Sequence, residues 1–539
     1  MAGHEQDFIL SGLFITKSER IRVILNKECL LWESDNLSKS KNVVLLKHII
    51  AVTPCDCSGY KQTKPVLCCY CQIQELRTEH SASKYVLPVN VRSIKVHYAV
   101  PSGRHKWKLA SHVLQPLDAV RVKDWIDSIQ DLLAELNRPK HLLIFINPYG
   151  GKKRGIKIYE RKVLPILHLA GVDAHAVVTQ RPNHAKEMIA DIDILKYDGI
   201  LCVGGDGMFS EILNSVLLKT QKEKGIEMDD MYNPLVVPRI PLGIIPAGST
   251  NAAVNSITGS SDPLSATLLV VMGDITGIDL CGVYSAGRFL NFAITFLSYG
   301  YFGDIIKESE KLRWMGPKRY DYAGLKRILC QKVYEGELQL LVDVPTNQAL
   351  MKNDRCCVDC GTCRNATHLP RSDGESMKKI RWLSLRGRFI AVNSAIISCS
   401  CVMSPKGISP SQHLGNGYTD VIVVKKCSRL NYLRYLLRTS YHHSDPFDLD
   451  FVKVYRVREF KFNPFVTDDK TPATGCVGLQ DGWQEMNTSV WNCDGEIINE
   501  PSLSAKIHCQ LLNVFGRGFE DRKTNHSSWS DCFKFLKRA

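Results

Sequence analysis

The stretch Gly204-Gly205-Asp206-Gly207-Met208-Phe209-Ser210-Glu211 decides the fold of this chain. It follows an apolar run at 200–203 that is typical of a buried parallel strand. It precedes apolar residues at helical spacing from Ile212 to Leu217. The glycines let the backbone turn tightly and let a phosphate approach the amides, and a helix start adds unpaired N–H groups with positive dipole character. The stretch is therefore predicted to be a strand, a glycine turn and a helix start.

Asp206 is unexpected in a plain phosphate-binding turn. A phosphate repels a carboxylate at this place unless the carboxylate does chemistry or holds a metal. A tight turn with a solvated aspartate is the simpler interpretation, and both stay open here. The stretch contains no Walker lysine, so it is not the usual P-loop.

Length, charge and cysteine content narrow the class of protein. The chain has 539 residues, of which 44% are hydrophobic, which allows two to four domains with their own cores. We expect a cytoplasmic protein with reduced thiols, because the first residues do not resemble a signal peptide and no apolar run reaches the roughly 20 residues that span a bilayer. The formal net charge of +14 favours an anionic partner such as a nucleotide, an anionic lipid or a nucleic acid.

The first 136 residues combine short β-type runs with one amphipathic helix. The runs include 12–15, 20–25 and 93–98, and the predicted helix covers 117–136 and carries Trp125. Strands closed by a single helix with a buried tryptophan resemble a pleckstrin-homology domain, which predicts a membrane-targeting β-barrel. Such domains often bind phosphoinositides beside the first hairpin, which is flanked here by Lys17, Arg20 and Arg22. An ordinary solvated basic hairpin is the alternative.

Two groups of cysteines have spacings that could hold a metal. The first is irregular and more typical of free thiols in a loop, although a zinc site is an alternative; it comprises Cys55, Cys57, Cys68, Cys69 and Cys71. The second lies in a polar insertion near His368 and comprises Cys356, Cys357, Cys360 and Cys363. The second group is interpreted as a metal cluster, a redox cluster or a thiol-rich loop.

Residues 138–265 contain four strand–helix units in a row. The predicted strands lie at 142–146, 174–179, 200–203 and 242–245, and the second helix is predicted to begin near Pro182. Such a succession predicts a doubly wound parallel sheet, in which ligands bind beyond the carboxyl ends of the strands. All four strands end in a candidate motif, so we predict a nucleotide site at this edge. From about 270 the strand-like segments predict an antiparallel β-sandwich packed on the α/β layer.

Four motifs together resemble the diacylglycerol-kinase catalytic domain. They are Asn147-Pro-x-Gly-Gly, Thr179-x-x-x-Asn183-His184-Ala185, Gly204-Gly-Asp-Gly and Pro246-Ala-Gly-Ser-Thr-Asn251. This superfamily includes the sphingosine kinases and the ceramide kinases, and with the N-terminal module the resemblance is closest to the latter. It covers roughly 138–500 and implies an α/β ATP-binding part at 138–265, a β-sandwich lipid-binding part at 266–505 and a separate segment at 506–539.

The resemblance also implies an activity and its residues. It implies an ATP- and magnesium-dependent kinase that phosphorylates the primary hydroxyl of ceramide, with Asp206 as general base and with Gly204, Gly205, Gly207 and Asp304 at the lipid. Sphingosine kinases place an aspartate for an ammonium-bearing lipid where this chain has Ile306, which fits a neutral ceramide. The implied ATP contacts are Asn147, Pro148, Tyr149, Gly150, Gly151, Thr179, Gln180, Arg181, Pro182, Asn183, Glu211, Gly248, Ser249, Arg313, Arg319, Asp494, Gly495 and Glu496.

Regulation and location are further implications of the resemblance. The basic amphipathic segment Lys425–Arg438 is predicted to be a calmodulin target or an ordinary packed helix, and calcium is then an activator. Cys356-x-x-x-Cys360-x-x-Cys363 resembles the cysteine triplet of ceramide kinases. The implied location is peripheral on Golgi and plasma membranes, with no nucleic-acid partner. A sphingosine or diacylglycerol kinase, an NAD kinase and a non-catalytic lipid-sensing adaptor are the alternatives.

Overall fold

The structure, a computed structural model, describes ten segments of the chain, namely 8–16, 19–34, 42–55, 91–316, 318–343, 356–366, 380–401, 403–440, 445–465 and 488–519. The chain separates into two compact units. The first contains the described residues up to 141 together with 159–174 and 267–274, and the second contains the rest. No helix of the described segments is long and apolar enough to cross a membrane.

The part of the first unit before residue 141 contains a seven-stranded sheet and a helix. The strands are β1 Phe8–Thr16, β2 Glu19–Asn26, β3 Cys29–Ser34, β4 Asn42–Leu45, β5 Ile49–Cys55, β6 Ser93–Pro101 and β7 Trp107–Pro116. They are ordered β4-β3-β2-β1-β7-β6-β5, and α1 is Val122–Ala134. Short 3₁₀ helices occupy Leu46–His48 and Ala119–Arg121. The predicted strands and helix are present, and β5 was not predicted.

Alternation of side chains gives this sheet its buried face. In β2, Ile21 and Val23 are buried while Arg20 and Arg22 are exposed, as a strand with one solvated face requires. The ring of Trp125 from α1 packs edge-on against Phe14, with ring centroids 4.9 Å apart. The end strands β4 and β5 do not pair with each other, so the described strands form an open sheet and not the predicted closed barrel.

Several residues singled out from this part of the sequence cannot be placed. Lys17 and four of the five N-terminal cysteines lie outside the described residues, the cysteines being Cys57, Cys68, Cys69 and Cys71. The fifth, Cys55, is partly buried at the end of β5.

His97 makes the stability of the first unit depend on pH. Burial, with a smaller contribution from Lys95, lowers its pKa from 6.5 to about 4. Below pH 6.5 His97 binds a proton in the unfolded chain but stays neutral in the folded chain until the pH approaches 4. The free energy of unfolding should therefore fall by about 2 kcal/mol between pH 7 and pH 5. Urea unfolding of the full chain at both pH values measures the loss. His97→Phe should remove this part of the pH dependence; an unchanged slope in His97→Phe would contradict the assignment.

The second unit contains a sheet of fifteen strands. These are β8 His141–Ile146, β9 Asp173–Val178, β10 Gly199–Gly204, β11 Leu242–Pro246, β12 Ile275–Ser285, β13 Arg288–Ala293, β14 Phe296–Gly300, β15 Tyr334–Asp343, β16 Ile380–Ala395, β17 Thr419–Lys425, β18 Val452–Val457, β19 Glu459–Pro464, β20 Trp491–Cys493, β21 Glu496–Ile498 and β22 Leu503–Phe515. Its main path is β21-β20-β14-β16-β15-β19-β22-β11-β10-β8-β9.

The helices after α1 follow in chain order. They are α2 Gly155–Ile158, α3 Leu164–Leu169, α4 His184–Asp191, α5 Asp206–Glu223, α6 Ala252–Thr258, α7 Pro263–Met272, α8 Tyr301–Glu310, α9 Lys318–Leu329, α10 Gly361–Ala366 and α11 Arg429–Ser440. Tyr159–Val163 is a π-helix, and Ile194–Lys196, Arg313–Met315 and Pro446–Asp448 are 3₁₀ helices.

The predicted α/β arrangement is present around β8–β11. Strand β10 pairs in parallel with β8 on one side and β11 on the other, and β9 follows β8 in the sheet. One detail of the prediction is wrong, because α4 begins at His184 and not near Pro182. Asn183 precedes it in the left-handed conformation, with φ of 63°, which asparagine tolerates better than most residues.

Hydrogen bonds join the antiparallel strands to the parallel strands in one continuous sheet path. Leu242 of β11 pairs with Val514 of β22, and β22 also pairs with β12 and β19. The antiparallel strands enclose an apolar core around Tyr299, Phe462 and Trp491. Because β22 runs from Leu503 to Phe515, it crosses the position at 505/506 where a domain boundary is predicted. The predicted division at 136, 265 and 505 stays a prediction.

Candidate active site

Three glycine loops meet at the carboxyl ends of β8, β10 and β11. A Cβ on Gly248 would lie 2.5 Å from the Cα of Gly205, and a Cβ on Gly151 would lie 2.6 Å from the carbonyl oxygen of Ala247. Gly151 also has a positive φ of 56°. Side chains at these positions would push the loops apart, so glycine is required by the close approach of the backbones.

The loop after β8 is held by its own asparagine. The Asn147 side-chain oxygen Oδ1 accepts hydrogen bonds from the amides of Tyr149, at 2.8 Å, and Gly150, at 2.9 Å. The amide of Asn147 donates to the carbonyl oxygen of Val203 in β10, at 3.0 Å. This asparagine turn fixes the start of the loop relative to the glycine turn after β10.

The Gly205–Gly248 contact predicts a difference between two glycine-to-alanine variants. Gly248→Ala should lower the free energy of unfolding by about 1–3 kcal/mol, because a Cβ 2.5 Å from backbone forces the loops apart. Gly207→Ala is the matched control, since no atom lies within 4 Å of a Cβ at this helical position, and it should leave stability unchanged or raise it by up to about 1 kcal/mol. Urea unfolding measures both; equal effects of the two variants would contradict the close approach.

Asp206 begins α5 and binds the start of another helix. Its Oδ2 accepts the amide of Ala252 and its Oδ1 accepts the amide of Ala253, both at 3.0 Å. Burial raises the pKa of Asp206, the two amide hydrogen bonds oppose that rise, and the charge of Asp494 adds to it. A carboxylate with a raised pKa is a better proton acceptor near neutral pH. The first amides of α6 therefore donate to a carboxylate and are not available to a phosphate. The glycine loops remain as the place where a phosphate can approach the backbone.

Asp494 lies in the turn between β20 and β21 and accepts four hydrogen bonds. It accepts the amides of Ile294 at 2.7 Å and of Thr295 and Phe296 at 2.9 Å each, and it also accepts the Thr295 hydroxyl. Burial raises its pKa in spite of these donors. Thr295 follows β13 without any recognisable motif, so the sequence did not reveal it as a partner of Asp494.

Two glutamates extend this negative region. The Oε1 atom of Glu211 accepts the amide of Lys186 at 3.2 Å. Burial raises the pKa of Glu496, as do the charges of Asp494 and Glu211, while Lys186 lowers it. Carboxylates contributed by α5, the β20–β21 turn and β21 therefore share one electrostatic environment beside the glycine loops. Carboxylate oxygens are the protein ligands that Mg²⁺ prefers, so this set suits a magnesium–nucleotide site.

Two family signatures cover most of the chain. Residues 141–283 match the diacylglycerol kinase catalytic domain, and residues 296–533 match the ceramide kinase C-terminal domain. Human ceramide kinase is 38% identical over 452 residues, which span 79% of this chain and 83% of that protein. The chain belongs to the ceramide kinase family. The resemblance found in the four sequence motifs is thereby confirmed.

More distant members of the ceramide kinase family also align over most of the chain. Ceramide kinase of Arabidopsis thaliana is 29% identical over 500 residues, covering 77% of this chain and 79% of that protein. A crystal structure of a diacylglycerol kinase from Bacillus anthracis str. Sterne is 12% identical, with a TM-score of 0.42, and covers 71% of this chain and 98% of that one. The family assignment does not depend on this structure.

Several residues that are predicted to contact ATP in this ceramide kinase family member lie on the loop between β9 and α4. The hydroxyl of Thr179 donates to the carbonyl oxygen of Ile146, at 3.2 Å, and is buried, so it fastens the end of β9 to β8. The amide of Gln180 donates to Nδ1 of His184, at 3.2 Å. Arg181 forms an ion pair with Glu187 at the surface. Pro182, Asn183 and Ser249 are exposed, and Gly495 has a positive φ of 97°.

Other predicted site residues have partners away from the glycine loops. Arg319 donates to the Tyr320 hydroxyl at 2.7 Å, and its Nη2 lies 3.6 Å from a carboxylate oxygen of Glu310. Asp304 is buried and accepts the Tyr334 hydroxyl at 2.5 Å and the Ser489 hydroxyl at 2.8 Å. No described hydrogen bond or ion pair joins Arg319 or Asp304 to the loops. The side chain of Arg313 lies outside the described part of the chain.

Proposed function

We propose that this chain is an ATP-dependent lipid kinase that transfers the γ-phosphoryl group to the primary hydroxyl of ceramide. The products are ceramide 1-phosphate and ADP. The observation that carries the proposal is the placement of Asp206, a carboxylate with a raised pKa, where three glycine loops meet in a member of the ceramide kinase family.

Asp206 is proposed as the general base. It accepts the proton of the lipid hydroxyl while that oxygen forms a bond to the γ-phosphorus, and the bond from phosphorus to the ADP oxygen breaks. Its raised pKa suits this task, because a base whose pKa lies nearer the working pH holds the proton more readily. The amides of Ala252 and Ala253 keep the carboxylate oriented.

The neighbouring carboxylates are proposed to hold magnesium, which when bound neutralises charge on the β- and γ-phosphate oxygens. Asp494 already accepts four hydrogen bonds. Three of these bonds reach Oδ1 and one reaches Oδ2, so only Oδ2 has capacity left for an ion. Glu211 and Glu496 are the better candidates, and Asp494 positions the turn that carries Glu496. With magnesium held by Glu211 and Glu496, the Asp206 carboxylate remains available to accept the proton of the lipid hydroxyl.

The ATP phosphates are proposed to lie against the loops at 147–151 and 248–249, with Thr179–Asn183 on the adjoining loop. The absence of side chains at Gly150, Gly151 and Gly248 lets phosphate oxygens approach the loop backbone. The amides of Gly150 and Gly248 already donate to the side chains of Asn147 and Asn251, and would have to exchange these bonds to donate to a phosphate. Arg313 and Arg319 are proposed to neutralise the transferring group, because a guanidinium fork matches phosphate oxygens. Arg319 would have to exchange its contacts with Glu310 and Tyr320 for the phosphate.

A neutral lipid is supported by the surroundings of Asp304. Both of its carboxylate oxygens accept hydrogen bonds from buried hydroxyls, so it is not presented to an ammonium group. Ile306 is partly buried on the same helix, α8. A lipid such as sphingosine would need a carboxylate at this place, whereas ceramide would not. A direct role of Asp304 at the lipid would require these hydrogen bonds to be exchanged.

Membrane and regulatory partners are proposed for two other surfaces. The first unit is proposed to be a pleckstrin-homology-like module that binds phosphoinositides through the exposed Arg20 and Arg22, which would bring the enzyme to Golgi and plasma membranes from the cytoplasm. Helix α11 buries Tyr432 and Tyr435 and leaves Leu430 78% exposed. The exposed leucine beside Arg429 and Arg434 supports binding of calcium–calmodulin to Lys425–Arg438.

A substrate panel tests the proposed function. The purified full chain is incubated with Mg-ATP and, in separate detergent micelles, with ceramide, sphingosine or diacylglycerol, and a further sample receives NAD. Phosphorylated ceramide alone is the expected product. Product mainly from sphingosine or diacylglycerol would replace the proposed substrate, and product from NAD would replace the proposed reaction. A folded chain that binds ATP without phosphorylating any of them would favour the adaptor interpretation.

A further inference from the structure

Four metal-ligating side chains converge away from the glycine loops. Cys356, Cys360 and Cys363 come from the segment that contains α10, and His413 comes from the loop that precedes β17. Each supplies one ligand atom, and these four atoms all lie within 4.8 Å of one another. Cys356 and His413 are buried. The predicted neighbour of the cysteines, His368, lies outside the described residues.

Two distances within this cluster lie close to the edges of a tetrahedral metal site. The sulfur atoms of Cys356 and Cys363 are 3.6 Å apart, and the sulfur of Cys360 is 3.1 Å from Nδ1 of His413. Zinc–sulfur bonds of ~2.3 Å and zinc–nitrogen bonds of ~2.0 Å require tetrahedral edges of ~3.8 Å between sulfurs and ~3.5 Å between sulfur and nitrogen. All four ligand atoms lie within 4.8 Å of one another, so side-chain adjustments within the cluster would bring them to these edges.

The backbone around the cluster is arranged for thiolates. The amide of Leu414 donates to the Cys356 sulfur at 3.5 Å, and the amide of Gly415 donates to the Cys363 sulfur at 3.3 Å. The side chain of Gln510 in β22 donates to the carbonyl oxygens of Cys363 and Gly415 at 2.7 and 2.8 Å. Hydrogen bonds to ligand atoms and their backbone are the usual support of a protein metal site.

We propose that Cys356, Cys360, Cys363 and His413 bind one zinc ion. Three thiolates and one imidazole prefer zinc over hard cations such as magnesium or calcium. Four protein ligands complete a tetrahedron and leave no open position, so the ion has a structural role and not a catalytic one. The bound ion would connect the segment at 356–366 to the loop that precedes β17.

The segment at 356–366 also supports α6, the helix whose first amides donate to Asp206. The amide of Val358 donates to the carbonyl oxygen of Phe519 at 3.1 Å. The amide of Phe519 donates to the carbonyl oxygen of Cys356 at 3.2 Å. The amide of Gly518 donates to the carbonyl oxygen of Ile257 in α6 at 2.9 Å. Because the first amides of α6 bind Asp206, loss of zinc is expected to lower kinase activity together with stability.

Metal analysis of the full chain tests the zinc site. Protein purified without chelators is expected to contain about one zinc per chain by elemental mass spectrometry, as a single four-ligand site requires. Cys360→Ser and His413→Ala should each abolish stoichiometric zinc. Cys357→Ser is the matched control, because its sulfur belongs to the same segment but not to the four-ligand cluster, and it should keep the zinc.

A second measurement covers variants that fail to fold. Wild-type protein in which cobalt replaces zinc should show the thiolate-to-cobalt charge-transfer band and the intense visible bands of a tetrahedral site. Folded wild-type protein that contains no zinc and gives no cobalt spectrum would overturn the proposal. A disulfide between Cys356 and Cys363 in the intact mass, or full zinc content in folded Cys360→Ser, would overturn it as well.

Discussion

Asp206→Asn is expected to lower the turnover number for ceramide by roughly 10²- to 10⁴-fold, the usual contribution of a positioned base. Asparagine keeps the size of the side chain but cannot accept the proton of the lipid hydroxyl. Affinity for ATP should change little, because the proposed nucleotide contacts lie on other residues. Turnover under saturating ceramide and ATP, with ATP affinity measured by calorimetry, separates the two effects.

The same substitution also removes one acceptor from the start of α6. The amides of Ala252 and Ala253 donate to different oxygens of the Asp206 carboxylate. In asparagine an NH2 group, which cannot accept a hydrogen bond, replaces one of these oxygens, and this should cost about 1–3 kcal/mol of stability. Urea unfolding therefore accompanies the kinetics, and assays are run where the variant is folded. Asp193→Asn is the matched control: its carboxylate also accepts a backbone amide, from Leu195 at 3.1 Å, but lies away from the loops, so turnover should be unchanged. Near-wild-type turnover in folded Asp206→Asn would show that the base assignment is wrong.

The pH–rate profile gives an independent test of Asp206. Its folded-state pKa is raised above 3.8 by burial, so activity should fall as the pH drops through that higher pKa and the base becomes protonated. The low-pH limb should disappear from the residual activity of Asp206→Asn. A limb that persists unchanged in the variant would assign the proton acceptor to another group.

Asp420→Ala is expected to destabilise the second unit by about 3–5 kcal/mol, the usual effect of removing one partner from a buried ion pair. Asp420 is fully buried and Arg456 is 7% exposed. The guanidinium donates Nε to one carboxylate oxygen at 2.8 Å and Nη2 to the other at 2.9 Å, and the Ser409 hydroxyl also donates to Asp420, at 2.5 Å. Alanine would leave a buried arginine without its counter-charge. Urea unfolding measures the loss.

Two further variants show whether burial of the charge is the cause. Glu335→Ala removes the partner of Arg388 from a surface pair whose side chains are 37% and 59% exposed, and it should cost no more than about 1 kcal/mol. The double variant Asp420→Leu with Arg456→Met removes both charges and should recover a large part of the stability lost by Asp420→Ala. Equal losses from Asp420→Ala and Glu335→Ala would contradict the expected difference between buried and surface pairs.

Much of the fold could be predicted because its signals are local. The apolar run at 200–203 and the glycines after it lie next to each other in the chain, so period and composition reveal strand β10 and its turn directly. The alternation in β2 and the buried face of α1 are equally local. The start of α4 was misplaced by two residues because proline is favoured in a first turn, whereas here Asn183 adopts the left-handed conformation before the helix.

The sequence by itself determined the parallel sheet, the glycine loops at its edge and the family of the chain. Only the tertiary structure decided that Asp206 binds amides 46 and 47 residues away, that Asp494 and Thr295 share a hydrogen bond across 199 residues, and that His413 completes the cysteine cluster. The physical reason is that every residue except proline carries an amide N–H and many carry a carboxylate, so the sequence does not mark which donor meets which acceptor. Their partners are chosen by the path of the sheet, above all by the pairing of β22 with both β11 and β12.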